Sequence, residues 1–303
     1  MHGVLLLDKP HGLSSNVALQ RARHLLRAEK AGHTGTLDPE ATGLLPLCFG
    51  EATKFSSWLL DAPKGYQATL QLGQTSSTGD AEGALTPGEG PLPQDLSVVQ
   101  AVLDSLLGDQ VQVPPMHSAL KFQGRPLYDY ARAGVEIERK PRQIVVHQLR
   151  LLDLNGSRLM VQADCSKGTY IRVLAEEIGR RLGCGAWLAG LRRNRTGGFD
   201  LTQAVTLDQL ATEEESQRLT HLRAPEQLVI GLPILQLDSA QAHALCHGQT
   251  PAATPPQVAL GQAHPILRVH DPLGRFLGLA GISDLTRVQA IRLMAENPQP
   301  PMK

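Results

Sequence analysis

Asp38 lies in GHTGTLDPEATG, residues 32–43, after a Gly/Thr-rich turn and directly before Pro39. Gly32 and Gly35 free the backbone ahead of the carboxylate, and Pro39 fixes it behind. Two readings are open. Asp38, Pro39 and Glu40 have the order of a helix start: an N-cap, a proline in the first position and an acid in the first turn. The same carboxylate on a glycine-flanked turn is also suited to act as a nucleophile or as an acid/base group.

Four other stretches carry chemistry-bearing side chains. LLLDKPHGLSSN (5–16) reads as a strand running into a Lys-Pro turn. SKGTYIR (166–172) sets Gly168 and Thr169 before a helix whose first turn holds Tyr170 and Arg172. LRRNRTGGF (191–199) is an arginine cluster ending in two glycines and an aromatic. PPMHSALKFQGRPLYDYARAG (114–134) is basic and tyrosine-bearing.

The elements that must position them follow from periodicity. NVALQRARHLLRAEKAGH (16–33) predicts a helix with Val17, Leu19, Leu25 and Leu26 on one face, capped by Ser14 or Ser15 and stopped by Gly32. YQATLQLG (66–73) alternates Ala68, Leu70 and Leu72 with Gln67, Thr69 and Gln71, a half-buried strand. TPGEGPLPQ (86–94) is a loop, and LSVVQAVLDSLLG (96–108) a short amphipathic helix closed by Gly108. IVVHQLRLLDL and RLMVQADCS flank Asn155-Gly156, a hairpin signal. YIRVLAEEIGRRLG (170–183) is a helix with Ile171, Leu174, Ile178 and Leu182 in one stripe. The strands are not separated as βαβ units, so the sheet is expected to be mixed and mostly antiparallel. LDQLATEEESQRL (207–219) reads as one acidic helix, and HLRAPEQLVIGLP as connecting chain. Residues 232–303 read as a small β-rich unit with a short helix (SAQAHALCHGQ), a Pro-rich loop (TPAATPPQ) and two strands joined by the DPLG turn. The tail NPQPPMK is expected to be disordered.

Of 303 residues, 42% are hydrophobic and 19% charged, a globular composition long enough for two domains. The four cysteines form no C-x-x-C pair, which argues against a zinc site or redox dithiol and for reduced, mostly buried thiols. The apolar run near the N-terminus is too short for a signal peptide, and no 18-residue apolar stretch occurs; a cytoplasmic protein that is neither exported nor membrane-spanning is expected. Net charge is zero, but residues 121–150 and 165–200 each hold seven Lys/Arg against three Asp/Glu. Charge is thus segregated, with two windows that could meet a polyanion.

Taken together, LLLDKPHGLSSN, KAGHTGTLDPEATGLLPLCFGEATK, KGYQATLQLGQTSSTGDAEG, the 114–139 segment and DCSKGTYIRVLAEEIGRRLGCGAWLAGLRRNRTGGF resemble the TruB family of bacterial tRNA pseudouridine synthases. The G-H-T-G-x-L-D-P core is the most specific of these. The last 70 residues match more loosely and resemble a small PUA-like RNA-binding domain. The resemblance implies an α+β catalytic domain over residues 1–228, a PUA-like domain over 229–303, and conversion of uridine 55 in the T loop of tRNA to pseudouridine. It makes Asp38 the catalytic aspartate, His33 a contact to the RNA loop and Tyr66 the ring over the target base. Tyr170, Arg172 and Leu191 complete the pocket, with Lys54 and Asp80 as secondary polar support. Each role has a physical reason. The uracil must leave its stack to be reached, Tyr66 can stack on it, and Arg172 can pair with Asp38 and keep it ionised and aimed. The implied partner is tRNA through its T stem-loop; no cofactor and no protein partner is implied. Two rivals remain: a module of the same fold that binds or folds tRNA without modifying it, and a carboxylate-pair glycoside hydrolase using Asp38 with Glu40 or Asp80.

Overall fold

A computed structural model describes residues 1–254, 256, 265–283 and 286–295. The chain runs β1 (Gly3–Lys9), α1 (Ser15–Leu25), β2 (Ala31–His33), β3 (Thr42–Phe49), α2 (Ser56–Leu60), β4 (Lys64–Leu72), β5 (Gln74–Ser76), β6 (Leu85–Pro87), α3 (Leu96–Asp104) and β7 (Gly108–Gln112). It continues through β8 (Lys121–Phe122), β9 (Arg125–Pro126), α4 (Leu127–Arg132), β10 (Arg142–Asn155), β11 (Arg158–Cys165), α5 (Ile171–Leu182), β12 (Ala186–Thr196) and β13 (Phe199–Asp200). Then come α6 (Leu207–Thr212), α7 (Glu215–Thr220), β14 (Ile234–Gln236), α8 (Ser239–Cys246), β15 (Ile266–His270), β16 (Phe276–Ser283) and β17 (Arg287–Leu293).

Nine of these strands make one sheet, ordered β1-β3-β12-β4-β11-β10-β7, with β2 on β3 and β13 on β12. All its pairings are antiparallel except β3 with β12. That parallel contact is brief, Thr42 opposite Arg192 and Gly43 opposite Arg193. Strands joined at only two positions diverge beyond them, so the sheet opens there. Gly43, at φ +101°, is required at the crossing, because a Cβ would collide with the Arg193 backbone.

Alternation decides which face each side chain takes. Tyr66, Ala68, Leu70 and Leu72 of β4 join Leu159, Val161 and Ala163 of β11 in the main core. There they are covered by Ala18, Leu19 and Ala22 of α1, Val99 and Leu103 of α3, and Leu174 and Ile178 of α5. Each such leucine contributes about 1.5–3 kcal/mol by leaving water. On the opposite face, Val4, Leu6, Leu44 and Cys48 pack on Phe55, Leu59, Leu228 and Leu279. The last of these belongs to the second sheet, β14-β15-β16-β17, a small C-terminal β unit. Phe55 meets Phe276 with ring centroids 5.4 Å apart. Among the described residues no helix is long and apolar enough to cross a membrane.

Several expectations are corrected. The predicted helix over 16–33 stops at Leu25. Arg27 adopts φ +50°, and residues 31–33 are drawn into the sheet opposite Leu47–Phe49. Its buried face is Ser15, Ala18, Leu19 and Ala22, leaving Val17 exposed. The acidic segment 207–219 is two helices, because Glu213 is extended and Thr206 and Glu214 each open a separate capping box. No helix starts at Asp38: residues 39–40 form a turn, closed by the Ala41 N–H on the Asp38 carbonyl, and Thr42 already begins β3. The predicted strand at 66–73, the hairpin at Asn155-Gly156 and the helix 170–183 form as expected. Cys48, Cys165 and Cys184 are buried and Cys246 is exposed, all without disulfides. The tail 297–303 and the end of the Pro-rich loop lie outside the described residues.

Candidate active site

The opening between β3 and β12 leads into a cavity of about 820 Å³. Its walls come from the β1–α1 turn, the 33–42 loop, the outward residues Gln67 and Thr69, the 117–119 segment, α4, Arg172 and the 188–192 stretch of β12. β12 bulges between Leu188 and Gly190 and again between Arg193 and Arg195. The irregularity widens the mouth and re-aims its side chains.

Asp38 stands in this cavity with its side chain 52% exposed. Arg172, on the first turn of α5 and only 7% exposed, reaches it through Nη2 at 3.2 Å. The same guanidinium donates from Nη1 to Asp80 at 2.8 Å and from Nη2 to the His117 carbonyl at 2.7 Å. Asp80 is fixed in turn by the Thr78 hydroxyl at 2.5 Å and the Glu82 N–H at 3.1 Å. The planar fork of arginine suits this triple task, since it spans acceptors in three directions. Asp38 and Asp80 therefore share one cation. Glu40 is turned aside to His11, 2.7 Å away.

The loop that bears Asp38 is tied down on both sides. Before it, the Leu37 N–H donates to Ser15 Oγ at 2.7 Å and the Ser15 hydroxyl donates to the Leu37 carbonyl at 2.9 Å. After it, the Pro39 carbonyl accepts from the Gly12 N–H at 2.9 Å and from Lys9 Nζ at 3.2 Å. Lys9 has no exposed surface and also donates to the Pro10 and Leu13 carbonyls. Burial pushes its ammonium down to about 8, against the pull of Asp38 and Glu40.

Behind the loop lies Arg193, 1% exposed, donating to the Leu44 and Gly35 carbonyls at 2.7 and 3.2 Å. It stands opposite Tyr66 in the β12–β4 register. Burial raises the Tyr66 hydroxyl above the ordinary phenol range, and the Arg193 charge opposes that rise. His33, in the cavity wall, is lowered by burial and by Arg193, which keeps the imidazole neutral near pH 7.

Of the residues singled out in the sequence, Asp38, His33, Arg172, Leu191 and Asp80 line one cavity. Tyr66 is a buried neighbour, close enough for its hydroxyl to feel the Asp38 charge. Tyr170 sits at the N-cap of α5, its backbone N–H donating to Gln112 Oε1 at 3.0 Å. Lys54 is not brought here. It pairs with Glu51 at 2.6 Å and donates to the Leu293 carbonyl at 2.9 Å, fastening the C-terminal unit. Both basic windows reach the cavity, through Arg132 and through Arg172 and Arg192. Arg132 lies over the Tyr128 ring at 5.5 Å. Sequence reasoning missed Ser15, Lys9 and Arg193 as parts of the site. The Lys-Pro turn and the paired serines were visible signals, but Lys9 and Ser15 find their loop partners 30 and 22 positions away, and Arg193 reaches one 158 positions away. Among the described residues no cluster of three or more His, Cys, Asp or Glu could hold a metal ion.

The profile of the TruB family pseudouridylate synthase N-terminal domain matches residues 23–171, and that of the tRNA pseudouridylate synthase B C-terminal domain matches residues 172–229. The chain is 53% identical over 277 residues to the tRNA pseudouridine synthase B of Aromatoleum aromaticum, covering 91% of this chain and 87% of that one. It is 49% identical over 297 residues to the protein of the same name from Nitrosospira multiformis, covering 96% and 95%. Among solved structures, a chain in a Cbf5-Nop10-Gar1 complex superposes with a TM-score of 0.71 at 26% identity, over 97% of this chain and 84% of that one. A chain of the archaeal box H/ACA sRNP Nop10-Cbf5 complex, at 24% identity, gives 0.72 over 96% and 85%, a likeness of fold.

Proposed function

Since this chain belongs to the TruB family of pseudouridylate synthases, isomerases that act on tRNA, we propose that it converts uridine 55 in the T loop of tRNA to pseudouridine, with Asp38 initiating cleavage of the glycosidic bond. The observation that carries this reading is the Arg172 guanidinium holding Asp38 in the cavity mouth while Asp80 and the His117 carbonyl hold Arg172. A carboxylate paired in this way keeps one orientation.

A uridine within a folded loop must swing out of its stack to enter the cavity. There the N1–C1′ bond breaks, the uracil turns, C5 bonds to C1′ and the proton on C5 departs. Atoms and electrons balance within the nucleoside, so the net change is an isomerisation. His33, neutral and on the wall, is placed to fill the space the flipped base leaves. Tyr66 is buried beside the cavity, within electrostatic reach of Asp38, and would meet the ring from there. Arg132, Arg192 and the Tyr128 ring serve the phosphates and bases around it. Residues 1–228 form the catalytic part in this scheme, and 229–303 a second, PUA-like RNA contact. The site of action is the cytoplasm.

A T-arm stem-loop carrying tritium at C5 of its uridines tests the reading. Wild-type protein is expected to release tritium to water, and Asp38→Asn to bind the RNA with unchanged affinity and release none. Tritium retention by a wild-type protein that still binds would favour a tRNA-binding module. Free uracil in solution would favour a hydrolase.

A further inference from the structure

We infer that Ser15 is a positioning residue for the reaction, its hydroxyl setting the aim of Asp38 through a two-way bond to the peptide groups of Leu37. The inference rests on the reading above.

Two serines precede α1, and the structure gives them separate tasks. Ser14 caps the helix, accepting from the Val17 N–H at 3.2 Å. Ser15 is thereby free of capping duty. It is 2% exposed, and both described hydrogen bonds of its hydroxyl go to residue 37, twenty-two positions later. One oxygen accepts from the Leu37 N–H and donates to the Leu37 carbonyl, so a single hydroxyl satisfies both polar groups of that residue. Leu37 is itself buried at 4% and anchored in the main core. Asp38 follows directly, and its carboxylate enters the cavity from a backbone whose preceding residue cannot rotate without breaking both bonds.

The other ties of the loop do different work. Lys9 and Gly12 hold the Pro39 carbonyl, downstream of Asp38. Arg172 holds the carboxylate, not the backbone. Ser15 alone, among the described hydrogen bonds, fixes the peptide groups of residue 37, upstream of Asp38. The restraint is rigid because Ser15 belongs to the first turn of α1, whose Ala18, Leu19 and Ala22 are packed in the main core. Misplacing a reacting group by about 1 Å can lower a rate by about 100-fold. A hydroxyl that fixes the adjacent peptide should therefore be read in the rate and not in RNA affinity.

The experiment compares wild type with Ser15→Ala, Ser15→Cys and Ser15→Thr in single-turnover tritium release at saturating protein, alongside RNA binding and thermal melting of each variant. Cysteine preserves size and bonds weakly, and threonine restores the hydroxyl. The expected result is a fall of roughly 10- to 100-fold in the single-turnover rate for alanine and cysteine, with RNA affinity within twofold and a folded protein. Threonine should recover most of the rate. Should alanine fail to fold, cysteine carries the test. Full rate in the folded alanine or cysteine variant overturns the inference. So does a loss of affinity that accounts for the slower reaction, because it would make Ser15 part of the RNA surface. Failure of the functional reading is separate: it shows as a wild-type protein that releases no tritium.

Discussion

Replacing Arg172 by lysine keeps the charge and removes the fork, and the expected cost can be worked from the geometry. The guanidinium meets Asp80 at 2.8 Å through one nitrogen, and the His117 carbonyl at 2.7 Å and Asp38 at 3.2 Å through the other. An ammonium is a point charge on a flexible stem and cannot span three acceptors placed around a plane. Asp80 and the His117 carbonyl make the shorter contacts and Asp80 is the less exposed acid, so the lysine should stay with them. Asp38 then loses its partner. Asp38 is half-exposed and its contact with Arg172 is an ion pair, so its loss is taken as about 1–2 kcal/mol. At about 1.4 kcal/mol per tenfold in rate, the chemical step should slow roughly 5- to 30-fold. The assay is single-turnover tritium release at saturating protein, with RNA binding measured by filter retention and folding by a thermal melt. A folded Arg172→Lys protein that reacts within threefold of wild type would refute the claim that Arg172 aims Asp38.

Two further outcomes are expected. Burial and Arg193 hold His33 below its ordinary value of 6.5. As pH falls under 6.5 the unfolded chain therefore binds a proton that the folded chain does not, and stability drops; urea melts at pH 7 and pH 5.5 should show a smaller drop for His33→Gln than for wild type, and identical drops would remove this account. Phe55 is fully buried against Phe276 of the C-terminal unit, so Phe55→Ala should cost about 3–5 kcal/mol by denaturant titration. A loss under about 1 kcal/mol would mean that the junction is held chiefly by Lys54 on the Leu293 carbonyl and Glu51 on the Ala295 N–H.

What could be read from the chain alone depended on how local the cause was. Alternation over 66–72 fixed which face of β4 is buried, because a strand's period is a property of consecutive residues. Asn155-Gly156 fixed the hairpin, since the turn needs a positive φ that Gly156 supplies at +58°. Periodicity over 16–33 failed where a distant strand, β3, competed for residues 31–33 and won them. The acidic helix failed for a local reason: two capping boxes, at 206–209 and 214–217, mark two starts, and charge pattern hides them.

The sequence by itself determined the residue types of the site and their order, and through the G-H-T-G-x-L-D-P core it identified the family. It also placed Asp38 on a turn. What it left open was whether that turn was the beginning of a helix, and only the tertiary structure decided it. Residues 37 and 39 are held by Lys9 of β1, Gly12 of the following turn and Ser15 of α1, and Asp38 by Arg172 from a helix 134 positions later. A local signal ranks conformations by their own torsional cost, which differs little between a cap and a turn. Long-range bonds to buried partners add several times that difference, so the decision belongs to the packed sheet and its opening between β3 and β12.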